Sequence, residues 1–223
     1  MASVLGYKEL EKRIKNGELF EGGVSNRVTQ DDVTKKPILS YGVSLAGYDI
    51  RLGRQFVHTN AVESKFVAIN KLFPERGEND NTVYLLFSNK NCNNLIDPKN
   101  LYNKDKNNWH YVDAPCNVIL GPFCTVLGLS KELITMPNDY VGICIGKSTY
   151  ARSGILINVT PLEPGWKGYL VIEITNLTNS HTILYPDEGI AQIIFLPVDN
   201  TISYFGNWQN QPDLRHYFQN CPK

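Results

Sequence analysis

The chain has 223 residues, 42% of them hydrophobic and 20% charged, which places it with ordinary globular proteins and leaves room for one sizeable domain. Its 22 basic and 22 acidic side chains cancel, which excludes a global field for nucleic acid or an anionic membrane surface, so any anion has to be held by a local cluster. No apolar run approaches the length of a membrane span, and the opening residues 1–9 lack the apolar core of a signal peptide, so a cytoplasmic protein is expected.

Residues 7–19 read as a short amphipathic helix, with Leu10 and Ile14 on one face and Gly17 as a stop. Beyond it, short β-rich runs recur between Gly, Pro, Asn and Asp: residues 48–52, 83–87, 125–129, 155–159 and 190–195. This spacing predicts an all-β sandwich or barrel rather than βαβ units. Residues 88–109 break the rhythm with an Asn- and Lys-rich stretch, expected to be a surface insertion in a single domain spanning 1–223.

The five cysteines, Cys92, Cys116, Cys124, Cys144 and Cys221, are odd in number and irregular in spacing, which fits reduced and mostly buried thiols rather than a disulfide framework. Pro115-Cys116 looks like half of a zinc deaminase motif. That motif needs a second cysteine three positions on and an upstream His-x-Glu, and the chain has neither, so no zinc is expected.

Three places could carry chemistry. In the run 169–175, alternation puts Tyr169, Val171, Glu173 and Thr175 on one face and Leu170, Ile172 and Ile174 on the other. A carboxylate flanked by two isoleucines loses water, which favours its protonated form and makes Glu173 a candidate general base and acid; the alternative is a solvated sheet face. In the turn 146–154, Lys147, Ser148, Thr149 and Arg152 can all donate to an oxyanion, with glycines at both ends; the alternative is a loop entering a short helix. The glycine, lysine and serine spacing is not that of a Walker A loop. Glu163 precedes Pro164-Gly165-Trp166, a turn at whose mouth a carboxylate could orient a sugar hydroxyl or a water, or could be plain surface charge.

Taken together, these segments resemble the dCTP deaminase family of the trimeric dUTPase-like superfamily. Residues 48–53 are similar to its early Tyr-Asp-Leu-Arg-Leu-Gly strand, and residues 118–142 to the segment that leads into the active-site turn. Residues 146–154 are similar to its Gly-Arg-Ser-Ser-x-Ala-Arg-x-Gly signature, and residues 163–173 to Asp-Pro-Gly-Trp-x-Gly followed five positions later by Glu. Residues 188–192 and 207–211 resemble two later motifs, the second a C-terminal segment that closes over the nucleotide; residues 54–117 match poorly.

The resemblance implies a mainly β fold, a distorted dUTPase-like barrel or jelly roll with a short N-terminal helix. It implies hydrolytic deamination of dCTP to dUTP and ammonia, feeding thymidylate supply. Glu173 falls on the catalytic glutamate, Ser148 on the serine that holds the attacking water, and Arg152 on the arginine that assists there. Lys147 and Thr149 fall on phosphate contacts, Tyr204 and Gln211 on C-terminal nucleotide contacts, and Glu163 and Trp166 on the substrate-binding turn. The family also implies homotrimers with intersubunit sites and Mg²⁺ carried on the triphosphate, with no metal ligand from the protein. Three positions depart from the pattern: Lys147 replaces an arginine, Glu163 an aspartate and Asn207 a phosphate-touching lysine, a lost cation that Arg215 or another subunit could supply. Two rival readings remain open: a dUTP or dCTP diphosphatase (alone or bifunctional with deamination), and a nucleotide-binding regulator without catalysis.

Overall fold

The computed structural model describes residues 3–59, 61–76, 80–90, 109–199 and 202–215. Most of the expected insertion, together with Cys92 and Cys221, therefore lies outside the described residues. The chain opens with helix α1 (Tyr7–Lys15), followed by strands β1 (Phe20–Glu21), β2 (Val28–Gln30), β3 (Pro37–Ser44), β4 (Gly47–Thr59) and β5 (Val62–Ala68). A helical turn α2 (Ile69–Leu72) leads to β6 (Val83–Asn89), β7 (Trp109–Asp113), β8 (Val118–Leu120), β9 (Thr125–Thr135) and β10 (Tyr140–Gly146). The last elements are α3 (Ser148–Arg152), β11 (Ile155–Asn158), β12 (Lys167–Asn176), β13 (Thr182–Leu184) and β14 (Gly189–Pro197).

Helix α1 forms where the apolar spacing predicts it, burying Leu10 and Ile14, with Glu9–Arg13 and Glu11–Lys15 pairs one turn apart on its outer side. It ends at Lys15, not at residue 19. Gly17, at φ +72°, donates to the Ile14 carbonyl and Glu18 to that of Arg13, a left-handed cap that stops the helix.

The larger sheet runs β10-β14-β4-β9-β12-β11, with β1 on β9, β7 and β3 on β4, and β2 on β3. Strand β4 is far longer than the five-residue run the sequence suggests because it serves two sets of partners. Its first part pairs with β3 and β14, its second with β7, and its register against β9 shifts between Leu52 and Phe56. Gly53 sits in this irregularity, where a Cβ would come within 2.7 Å of the Leu129 carbonyl oxygen. The smaller sheet, β13-β8-β6-β5, packs on the larger one. Leu85, Phe87, Val118 and Leu120 face the common core, while Tyr84, Leu86 and Ile119 face a second cluster around Ile69. Burial on both sides explains why residues 84–87 read as an unbroken apolar run, which the exposed Val83 only extends.

The main core is centred on Tyr48, Phe56, Phe87 and Phe195, with Phe20 stacked on Tyr48 at 4.0 Å between ring centroids. A buried ion pair ties its edge: Glu132 accepts from Arg51 Nε at 2.7 Å and from the Arg51 backbone N–H at 3.0 Å. No helix among the described residues is long and apolar enough to cross a membrane.

Candidate active site

Strand β12 supplies the central group. Its alternation buries Gly168, Leu170, Ile172, Ile174 and Asn176 and leaves Tyr169, Val171, Glu173 and Thr175 half-buried on the opposite face. Glu173 stands between Leu127 of β9 and Asn158 of β11, its register partners. Burial raises its carboxyl pKa above the ordinary value, a push its own backbone N–H and the Asn158 side chain only partly counter. Asn158 Nδ2 donates to Glu173 Oε2 at 3.2 Å.

Glu173 lines a cleft of about 390 Å³ whose other walls include Glu163, Trp166, Val171, Tyr204 and Gln211. The turn 163–166 closes one side. Trp166 donates its backbone N–H to the Glu163 carbonyl, and Gly165 takes φ +74° where a Cβ would lie 2.6 Å from Asn138 Oδ1. The C-terminal segment straps across this turn. The Tyr204 N–H donates to the Pro164 carbonyl at 2.7 Å, Trp166 Nε1 to the Trp208 carbonyl at 2.8 Å, and the Lys167 N–H to Gln209 Oε1 at 2.8 Å. Gln211 continues it as a parallel bridge to Gly168, buried, and its Nε2 has no hydrogen-bond partner among the described residues. Five of the residues singled out from the sequence thus meet in one cleft: Glu173, Glu163, Trp166, Tyr204 and Gln211.

The turn residues do not join them within one chain. Ser148, Thr149 and Arg152 lie on α3, all exposed and none on the wall of the Glu173 cleft. Ser148 and Arg152 make no side-chain hydrogen bond or ion pair with any other described residue. Lys147, the residue before α3, turns inward instead: its Nζ meets Asp49 Oδ2 at 2.7 Å and Ser40 Oγ at 3.1 Å. Asn207 is exposed, and Arg215 stands 3.8 Å from Asp113 beside a separate depression that Asp113 and Pro212 line.

Asn158 escaped the sequence reading. A lone amide in the apolar run 155–159 is a weak signal, and only the β11–β12 register puts it beside Glu173. Trp208, whose carbonyl anchors the strap, belonged to a recognised motif but carried no assigned role. Among the described cysteines, burial pushes the Cys124 and Cys144 thiols up to about 12, and Cys144 also feels the charge of Glu173; both are protonated and inert at neutral pH. The described residues contain no group of three or more His, Cys, Asp or Glu side chains placed to hold a metal ion.

Residues 76–198 match the model of a dCTP deaminase-like family. A dCTP deaminase of Helicobacter pylori is 40% identical over 182 residues, 81% of this chain and 79% of that one. A dCTP deaminase of Nautilia profundicola is 38% identical over 173 residues, 78% of this chain and 75% of the other. The crystal structure of the 2'-deoxycytidine 5'-triphosphate deaminase from Agrobacterium tumefaciens superposes with a TM-score of 0.53 at 19% identity, over 88% of this chain and 48% of that one, a likeness of fold. This chain spans about half the length of that solved protein.

Proposed function

The chain belongs to the dCTP deaminase-like family, and from that membership we propose that it hydrolyses dCTP to dUTP and ammonia, with Glu173 as the catalytic base and acid. The observation that carries the reading is a half-buried carboxyl of weakened acidity on the wall of a cleft large enough for a nucleoside.

Glu173 removes a proton from water as the oxygen adds to C4 of cytosine, and delivers a proton to N3. The tetrahedral carbon then carries both hydroxyl and amino groups. Glu173 moves a proton from the new hydroxyl to the amine, the C4–N4 bond breaks, ammonia leaves and the C4 carbonyl of uracil forms. The burial that raises the carboxyl pKa makes Glu173 a stronger base for the first half, and the protonated group it becomes is the acid of the second. Trp166 and Tyr204 wall the cleft, and Gln211 Nε2, without a partner among the described residues, offers a donor to a nucleotide oxygen.

Ser148 and Arg152 complete the site from a second copy of the chain. Support comes from their exposure and their lack of side-chain partners among the described residues, together with the family's homotrimeric pattern, in which each site forms between subunits. Thr149, beside them, faces the phosphates in this arrangement. Mg²⁺ carried on the triphosphate, as the family resemblance implies, would neutralise phosphate charge when bound. Glu173→Gln should abolish ammonia release while leaving dCTP affinity, measured by calorimetry, within about threefold of wild type. Full turnover in that variant would overturn the assignment.

A further inference from the structure

The proposed chemistry does not use one polar cluster built into the core behind α3. Asp49 of β4 and Lys147 are 98 positions apart, and their side chains are 4% and 12% exposed. Asp49 Oδ2 accepts from Lys147 Nζ at 2.7 Å and Oδ1 from Gln192 Nε2 at 3.1 Å; Gln192 also donates to Ser44 Oγ at 2.6 Å. Ser40 Oγ gives the ammonium a second acceptor at 3.1 Å. The backbone of Lys147 is held as well: its N–H donates to the Ile190 carbonyl at 3.0 Å, and its carbonyl accepts from Ala151 at 3.1 Å, the first bond of α3.

Lys147 is therefore fixed at both ends, between β3, β4 and β14 on one side and α3 on the other. We propose that Asp49 and Lys147 form a buried strut that sets the position of α3, so that Lys147 serves the site by holding Ser148 and Arg152 in place rather than by meeting phosphate oxygens. The inference rests on the deaminase reading above and adds two positioning residues to it. A five-residue helix has too few internal hydrogen bonds to hold its own place: its buried Tyr150, whose hydroxyl accepts from the Tyr185 N–H at 3.0 Å, anchors one side, and Lys147 fixes its N-terminal end.

A double-substitution cycle tests the strut, using Lys147→Met, Asp49→Leu and the pair together in the full chain. Removing one partner strands a buried charge, whereas replacing both with apolar side chains of similar volume is close to neutral. Each single variant is expected to lose at least about tenfold in kcat with KM for dCTP within about threefold, and the double variant to recover to within about threefold of wild type. Kinetics are read well below each melting midpoint, so that loss of folded protein is not mistaken for loss of rate. If Lys147→Met instead raises KM about tenfold at unchanged kcat, and the double variant is no better, Lys147 is a phosphate ligand and the strut is wrong. Wild-type kcat in the folded single variants would also overturn it, leaving the pair a matter of stability alone. Wild-type protein that releases no ammonia from dCTP fails the deaminase reading instead; melting midpoints over the same cycle then still test the pair, which additive losses would refute.

Discussion

Replacing Asn158 by alanine should move the acid limb of the pH–rate profile upward. Asn158 donates to Glu173 Oε2 at 3.2 Å, and that bond stabilises the charged carboxylate against the burial that disfavours it. A hydrogen bond to a charged group contributes about 1.5–3 kcal/mol when well sheltered. Here the distance is long and both groups are partly open to solvent, so about 1 kcal/mol is the appropriate size. At 1.36 kcal/mol per pH unit, its loss displaces the limb by roughly 0.7 unit. The direction follows from the bond: without the donor the carboxyl holds its proton more tightly, the basic form appears only at higher pH, and kcat/KM rises later. The assay is ammonia release from dCTP under kcat/KM conditions across the acid limb. Asn158→Asp should move the limb further in the same direction, because two facing carboxylates resist joint ionisation. A limb that stays put in Asn158→Ala, or moves toward acid, would show that this bond does not tune the base.

Glu173→Gln should also melt higher than wild type at about pH 8. Burial raises the folded-state pKa above the unfolded one, so the group's contribution to stability is full below the ordinary carboxylate range and is lost as pH rises through the raised value. The amide variant has no such loss, and its advantage should vanish near pH 4; an advantage that grows toward acid would contradict this. Trp166→Phe removes the Nε1–H bond to the Trp208 carbonyl, of about 1 kcal/mol, and loosens the C-terminal strap. KM for dCTP should rise about fivefold with kcat less affected, and an unchanged KM would mean that the strap does not need this tie. Arg51→Met leaves Glu132 fully buried without its cation, at a cost of about 3–5 kcal/mol, so the melting midpoint should fall by roughly 10 °C. A fall of only a degree or two would show that the pair carries little of the stability.

Features written in neighbouring residues were legible in the sequence. The Leu10 and Ile14 face of α1 and the alternation that sets Glu173 opposite Ile172 and Ile174 are local patterns, and both appear in the structure as read. The cap that ends α1 at Lys15 depends on how Gly17 and Glu18 fold back, which composition marks only as a stop. What depends on pairing between distant strands was not legible. Asn158 reaches Glu173 only through the β11–β12 register, and Asp49 reaches Lys147 only because β14 lies between β4 and β10. Motif order also hid a separation in space. Residues 148–152 and 163–173 are close in sequence, yet the first set stands outside the cleft that the second set lines.

The most direct test of the central claim is to incubate the purified protein with dCTP and Mg²⁺ and to resolve nucleotides, ammonia and pyrophosphate as the reaction proceeds. Wild type should form dUTP and ammonia in equal amounts, and Glu173→Gln should form neither. Release of dCMP with pyrophosphate, or tight dCTP binding with no product at all, would contradict that claim.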